Sequence, residues 1–243
     1  MFQIDINSDV GEGVGIEALL MPYLSSCNIA CGGHAGDLET IEKVIALAMK
    51  HHVKIGAHPS YPDRANFGRK VLTIDASDLK LSLKEQILRV SAFAKAQQTS
   101  LHHVKPHGAL YNKAAADAVT AKAIIETIEE IDDRLCLFVP YNSVIADLAK
   151  GRLRTMVEGF ADRNYNEDYS LVSRSEKDAL LTDPEKVWKH ILPMITEHKL
   201  RTITGKEVSF QIDTLCVHGD TISAIEIVQH VHSQCVRHEI SMV

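Results

Sequence analysis

One unit, repeated along the chain, limits what it can fold into. A short apolar run ends in an ionisable residue beside glycine or proline, and a helical stretch follows. The clearest copy is Val104-Lys105-Pro106-His107-Gly108-Ala109-Leu110-Tyr111-Asn112. Pro106 removes a backbone donor and fixes φ. The extended run Leu101 to Lys105 therefore stops, His107 and Gly108 turn the chain, and an alanine-rich helix is predicted from near Lys113. The other runs behave alike. Gln3 to Asn7 leads to Asp9 and Glu12, Cys27 to Cys31 to His34, and Val53 to Ala57 to His58-Pro59. Leu135 to Val139 meets Pro140, Arg154 to Val157 leads to Glu158, Asp162 and Arg163, and Asp213 to Val217 leads to His218 and Asp220.

Helical stripes separate these runs. Asp37 is placed to cap a helix carrying Ile41, Val44, Ile45 and Ala48. Leu79, Leu83, Ile87 and Val90 mark a long helix over about Ser77 to Gln98. Ile124, Ile125, Ile128 and Ile131 mark one over about Ala114 to Ile131, and a short helix ends near Lys150 before Gly151. Asp183-Pro184 starts another, and Ile222, Ile225, Val228 and Cys235 mark the last. Thr202 to Gln211 has the look of a small hairpin around Gly205-Lys206. About seven β-then-α units predict a parallel sheet with right-handed crossovers, closed or nearly closed into an α/β barrel. At 243 residues the chain suits a single (β/α) barrel domain spanning 1–243. The polar stretch at about 164–177 has no period and reads as a lid-like excursion.

The bulk numbers exclude several functions. A net charge of −6 argues against non-specific nucleic-acid binding. No run of about 18 apolar residues is present, so no membrane helix is expected. The first residues form an alternating strand rather than a signal peptide, and the five scattered cysteines are expected to be buried free thiols in a reducing cytoplasm. Cys27 and Cys31 lack the second cysteine pair of a closed zinc site. Gly11, Gly13 and Gly15 do not complete a dinucleotide fingerprint, because Ile16 stands at the third glycine position.

In a parallel barrel all the strand C-terminal ends share one face, and active sites are built there. Asp9, Glu12, His34, His58, Lys105, His107, Glu158, Asp162, Arg163, His218 and Asp220 would all meet on it. Two chemistries fit such a cluster. In one, an acid and two or three histidines hold a divalent metal. In the other, a carboxylate or histidine is a general base for amide hydrolysis while lysine or arginine bears the oxyanion. Two loop arginines, Arg64 and Arg69, could receive an anionic ligand.

Six stretches carry a resemblance: Asp9-Val10-Gly11-Glu12-Gly13, Asn28 to Asp37, Gly56 to Asp63, Lys105 to Asn112, Phe160-Ala161-Asp162-Arg163, and Val217-His218-Gly219-Asp220. In this order they are similar to the LamB/YcsF family of 5-oxoprolinase A subunits. The resemblance implies ATP-dependent opening of the lactam of 5-oxo-L-proline to L-glutamate. It also implies a complex with B and C subunits that handle ATP, and a distorted seven-stranded barrel like those of polysaccharide deacetylases and some glycoside hydrolases. We assign Asp9, Glu12, His58, Lys105 and His107 to catalysis, with Lys105 steadying negative charge and His107 moving protons. His34, Asp63, Arg64, Asn112, Asp162, Arg163, His218 and Asp220 are assigned to substrate binding. Any divalent metal would sit on Asp9, His34, His58 and His107. A metal-dependent deacetylase-like amidohydrolase and a carbohydrate- or carboxylate-binding module remain as alternatives. Three positions depart from the family pattern: Gly33 replaces an aromatic residue, Tyr169 a glycine and Ser173 a proline.

Overall fold

The computed structural model describes residues 2–243. The chain begins with β1 (Gln3–Val10), α1 (Glu17–Leu20), β2 (Ser26–Ala30), α2 (Leu38–Lys50), β3 (Lys54–His58) and α3 (Ala76–Ala96). It continues through β4 (His103–Val104), α4 (Gly108–Ala116), α5 (Ala118–Asp132), β5 (Cys136–Pro140), α6 (Val144–Ala149) and β6 (Thr155–Phe160). Then follow α7 (Pro184–Thr196), β7 (Lys199–Arg201), β8 (Glu207–Ser209), β9 (Thr214–Cys216), α8 (Ala224–Arg237) and β10 (Ser241–Met242).

Seven of these strands close into an all-parallel barrel in the order β1-β2-β3-β4-β5-β6-β9, with β9 returning to β1. β10 adds outside the start of β1, and β7 with β8 forms a separate antiparallel hairpin. No helix among the described residues is long and apolar enough to cross a membrane. All five cysteines are free and buried.

The local signals act as their chemistry requires. Asp37 and Asp183 accept backbone N–H groups at the starts of α2 and α7. Several boundaries differ from the sequence expectation. β1 runs on to Val10, so Ser8 and Asp9 belong to the strand and not to a loop. β6 reaches Phe160, which puts Glu158 inside the barrel wall. The helix after Lys105 starts at Gly108 and stops at Asp117, whose carboxylate caps a second helix by accepting from Thr120 N. The hairpin begins earlier, at Lys199. Ile222 is 95% exposed, and α8 packs through Ala224, Ile227, Val228, Val231 and Cys235 instead. The 164–177 excursion is tied down by single bridges between Tyr165 and Leu171 and between Arg163 and Leu180.

Side chains alternate along a strand, and here the polar set points inward. On β1, Ile4, Ile6 and Val10 join the apolar layer while Asp5, Asn7 and Asp9 reach the barrel axis. Asp5 Oδ1 accepts from the hydroxyls of Ser26 (2.7 Å) and Thr214 (2.6 Å). Higher up, Asn7 Nδ2 donates to Glu158 Oε1 at 3.1 Å across the barrel. Gly56 is paired with His103, and a Cβ there would collide with the His103 ring. The glycine makes room for a histidine inside the barrel.

Candidate active site

Lys105 continues the inward side of β4 and is 2% exposed. Its Nζ donates to Asp9 Oδ1 at 2.9 Å, lies 2.9 Å from Glu158 Oε1 and 3.1 Å from Cys216 Sγ. Burial alone would lower the ammonium pKa, but the charge of Asp9 and then those of its other neighbours hold it well above its ordinary value. Burial likewise pushes the Asp9 carboxyl up, and the charges of His58 and Lys105 outweigh it, so Asp9 lies well below the usual carboxylate range. Glu12 goes the other way, raised by burial and by the charge of Asp9.

Beside this pair sit three imidazoles. His34 stacks on His107 with centroids 3.7 Å apart, and His58 stands edge-on to both. His58 Nδ1 donates to the Lys105 carbonyl at 2.7 Å, and His107 Nε2 donates to the Phe67 carbonyl at 3.0 Å. A neutral imidazole has one N–H. With both N–H groups used in this way, His58 Nε2 and His107 Nδ1 turn lone pairs toward each other across 3.0 Å. Only a shared proton or a cation satisfies that contact. His34 Nε2 lies 2.9 Å from Glu12 Oε1, which also stands 3.4 Å from His107 Nδ1 and 3.8 Å from His58 Nε2.

Burial, then the charge of His58, pushes His34 down to about 3; burial, then His58 and His34, pushes His107 down to about 2. Both rings therefore present lone pairs at neutral pH. Ligand atoms of Glu12, His34, His58 and His107 lie within 4.8 Å of one another. Three imidazoles and a carboxylate are a donor set for a divalent transition metal, and the carbonyl partners on the far nitrogens of His58 and His107 are what orient metal-binding histidines. The residues fit such an ion. The carboxylate within reach of all three rings is Glu12, and Asp9, expected in this role from the sequence, stands beside it with Oδ2 3.4 Å from His58 Nε2.

On the opposite wall His218 stacks on Phe160, with Nδ1 donating to Asp162 Oδ1 at 2.8 Å. Asp162 also accepts from His218 N and the Thr221 hydroxyl. Burial works against the charged ring, but the carboxylate outweighs it and raises the His218 pKa. At the rim Asp220 Oδ2 accepts from Arg69 (2.7 Å) and Arg174 (3.2 Å). Arg163 Nη2 donates to the Val172 carbonyl, and its buried Nε has no partner.

These groups enclose a pocket of about 380 Å³, closed over by Leu171, Val172, Ser173 and Arg174 of the excursion. Nine of the assigned residues line it: Asp9, Glu12, His58, Lys105, His107, Asn112, Arg163, His218 and Asp220. His34 and Asp162 lie just behind the wall, on Glu12 and His218. Asp63 and Arg64 are not in the pocket. Asp63 caps the turn at Arg64–Asn66, and Arg64 donates to the Gly32 and Gly36 carbonyls, so both shape loops. A second, more aromatic chamber of about 300 Å³ adjoins the pocket at Tyr111, Asn112, Phe160 and Leu171.

A profile of the LamB/YcsF family matches residues 4–243. The chain belongs to the LamB/YcsF family. Its relatives include the 5-oxoprolinase A subunit of Shouchella clausii, 42% identical with 100% of this chain and 98% of the relative covered. The same-named protein of Pyrococcus abyssi is 40% identical, with 94% and 92% covered. Among solved structures, the lactam utilization protein from Thermus thermophilus superposes with a TM-score of 0.92 at 36% identity, covering 99% of this chain and 98% of that one. A family 4 carbohydrate esterase from Streptomyces lividans shares the fold at a TM-score of 0.51 and 7% identity, covering 99% and 91%.

Two positions that the resemblance marks as departures, Tyr169 and Gly33, have clear local settings. Tyr169 sits at φ +69, a conformation natural to glycine, and its ring packs against Tyr141 and Phe210. Beside Gly33 the space is filled by Gln86, which pairs with both backbone groups of Ser60.

The sequence reading marked Arg69 as a loop arginine but left it outside the assigned site, and it missed Arg174, Asn7, Asn28, His103 and Tyr111. A signal existed for Asn7, which shares strand parity with Asp5 and Asp9. Arg69 carried a signal as a loop arginine suited to an anion, whereas Arg174 carried none, because Asp220 gathers the two from stretches 151 and 46 residues away.

Proposed function

We propose that this chain is the A subunit of an ATP-dependent 5-oxoprolinase. It opens the lactam of 5-oxo-L-proline to L-glutamate, together with B and C subunits that couple the step to ATP hydrolysis. The observation that carries this reading is the whole-length likeness to proteins named as 5-oxoprolinase A subunits. It is supported by the position of the shared motifs around one deep pocket.

Lactam hydrolysis adds a water oxygen to the ring carbonyl, breaks the C–N bond and delivers a proton to the departing nitrogen. Lys105, held charged at the pocket floor, offsets negative charge developing on the carbonyl oxygen. Asp9 takes the proton from water, joined by the His58–His107 pair only where no metal occupies their lone pairs, and His218, held against Asp162, faces the pocket as a proton source for nitrogen. Arg69, Arg163 and Arg174 receive the substrate carboxylate. A divalent metal held by Glu12, His34, His58 and His107 would supply Lewis acidity beside the carbonyl.

The test is glutamate release from 5-oxoproline by the purified chain alone and by the chain with B and C subunits, each with and without ATP. Release is expected only in the complete mixture with ATP. Robust release by the chain alone, or none from the complete mixture, overturns the reading. The histidine cluster supports a second reading, a metal-dependent amidohydrolase of the deacetylase type. That reading expects acetate release from acetylated oligosaccharides by the chain alone, abolished by a chelator.

A further inference from the structure

Below the pocket a column of hydrogen bonds runs through the polar barrel interior to the opposite face. Arg154, exposed at the entrance of β6, donates from Nη2 to His102 Nε2 at 3.0 Å. His102 Nδ1 lies 3.2 Å from His103 Nδ1. His103 Nε2 lies 2.7 Å from Asn28 Oδ1, and Asn28 Nδ2 donates to Asp9 Oδ1 at 2.8 Å and to Asn7 Oδ1 at 2.8 Å.

Both ends of this column have a fixed polarity. A guanidinium can only donate, and an ionised carboxylate can only accept. Burial pushes His103 well below its ordinary pKa, and burial with the charge of Arg154 pushes His102 down to about 4, so both rings are neutral with one N–H each. One arrangement satisfies every contact. His102 takes Arg154 on Nε2 and donates from Nδ1; His103 accepts on Nδ1 and donates from Nε2; Asn28 accepts on Oδ1 and donates from Nδ2.

We propose that His103 and Asn28 are positioning residues for Asp9, fixed in donor direction by Arg154 and His102, so that Asp9 Oδ1 is held as an acceptor and Asp9 acts on substrate through Oδ2. The saturation of Oδ1 supports this, since it takes Asn28 Nδ2 at 2.8 Å and Lys105 Nζ at 2.9 Å. Oδ2 stands 3.4 Å from His58 Nε2 at the pocket. The packing is specific as well. His103 stacks on Phe138 with centroids 4.0 Å apart, over a Gly56 that leaves no room for a Cβ. The proposal rests on the reading that Asp9 is catalytic.

Two experiments separate the column from that reading. Nitrogen-15 NMR of the histidine side chains in the wild-type chain is expected to show His102 protonated on Nδ1 and His103 on Nε2. The opposite tautomer at His103 overturns the directional column, whatever the activity. In the assembled enzyme with ATP, His103→Phe keeps the ring on Phe138 but removes the donor to Asn28. Its kcat is expected to fall tenfold or more, with KM within threefold. His103→Gln loses the stacking but restores an N–H donor, and its kcat is expected to stay within threefold of wild type. A packing role alone ranks these variants the other way, so kcat of His103→Phe at or above that of His103→Gln overturns the positioning role. If His103→Phe does not fold, the tautomer measurement and the kcat of His103→Gln decide, and a tenfold loss in His103→Gln overturns it. An inactive wild-type assembly instead counts against the 5-oxoprolinase reading and leaves the tautomer result standing.

Discussion

The two faces of the same barrel strands have opposite chemistry. Outward side chains such as Ile4, Ile6 and Val10 on β1 pack in a continuous apolar layer beneath the helices. Inward ones, Asp5, Asn7 and Asp9, join Asn28, His103, Lys105, Glu158 and Thr214 in a polar interior. Barrels of this general class usually fill the interior with branched apolar residues in layers. Here stability comes mainly from the outer layer, where each fully buried aliphatic side chain contributes about 1.5–3 kcal/mol. The interior is held by hydrogen bonds and ion pairs, with Glu158 Oε2 left without a partner, and it supports the pocket floor from below. Substitutions on the outer face should therefore cost stability alone, and those on the inner face activity as well.

The largest effect is expected at Lys105, where an inward change costs both stability and activity. Lys105→Met leaves Asp9 and Glu158 as buried carboxylates without their cation. Unfolding free energy should drop by about 3–5 kcal/mol, and kcat of the assembled enzyme by roughly 10³-fold. Denaturant titration and glutamate release measure the two. On the other face of the same wall, Ile6→Ala should cost about 3 kcal/mol through the cavity it leaves, with kcat unchanged at a temperature where the variant is folded. Lost chemistry in that variant would break the division of labour between the faces.

Asp162→Asn probes the interior at its edge. The folded pKa of His218 is raised, so the charged pair stabilises fully below the unfolded value near about 6.5 and fades as pH rises through the raised value. Asp162 itself is depressed, so the pair persists down through the usual carboxylate range. The variant's deficit in denaturant midpoint should thus be larger at pH 6 than at pH 9, about 2 kcal/mol at the acid end. A deficit that grows with pH would contradict the assignment. Gly56→Ala is expected to cost about 1–3 kcal/mol, because the His103 ring held between it and Phe138 must shift, with a visible change in the His103 NMR signal and a lower kcat.

Much of this is legible in the sequence. The parallel barrel followed from strands and helices that alternate in order, and the gathering of Asp9, His58, Lys105, His107 and His218 followed from the barrel, because parallel strands share one C-terminal face. The caps at Asp37 and Asp183 were local and were read locally. Errors came where local signals competed. Gly108 reads as a turn residue after the strand yet opens a helix, which hid the true start of α4. Asp117 looked like one more polar residue on a long helix, yet its side chain divides α4 from α5. Ile222 kept the helical period but lies before the first turn of α8, on the surface.

The sequence by itself determined the alternation of elements, the strand ends that carry ionisable residues, and a kinship with the LamB/YcsF family. Period-2 patterning shows that a strand has two unlike faces but says nothing about which one turns inward. Only the closed barrel decided that the polar face is the interior one. Only tertiary packing brought Glu12 as well as Asp9 against the histidines, took Asp63 and Arg64 out of the pocket, and aligned Arg154, His102, His103 and Asn28 beneath Asp9. The reason is distance along the chain. Each of those choices depends on side chains brought together from different strands and loops, and their geometry is set by barrel closure rather than by neighbours in sequence.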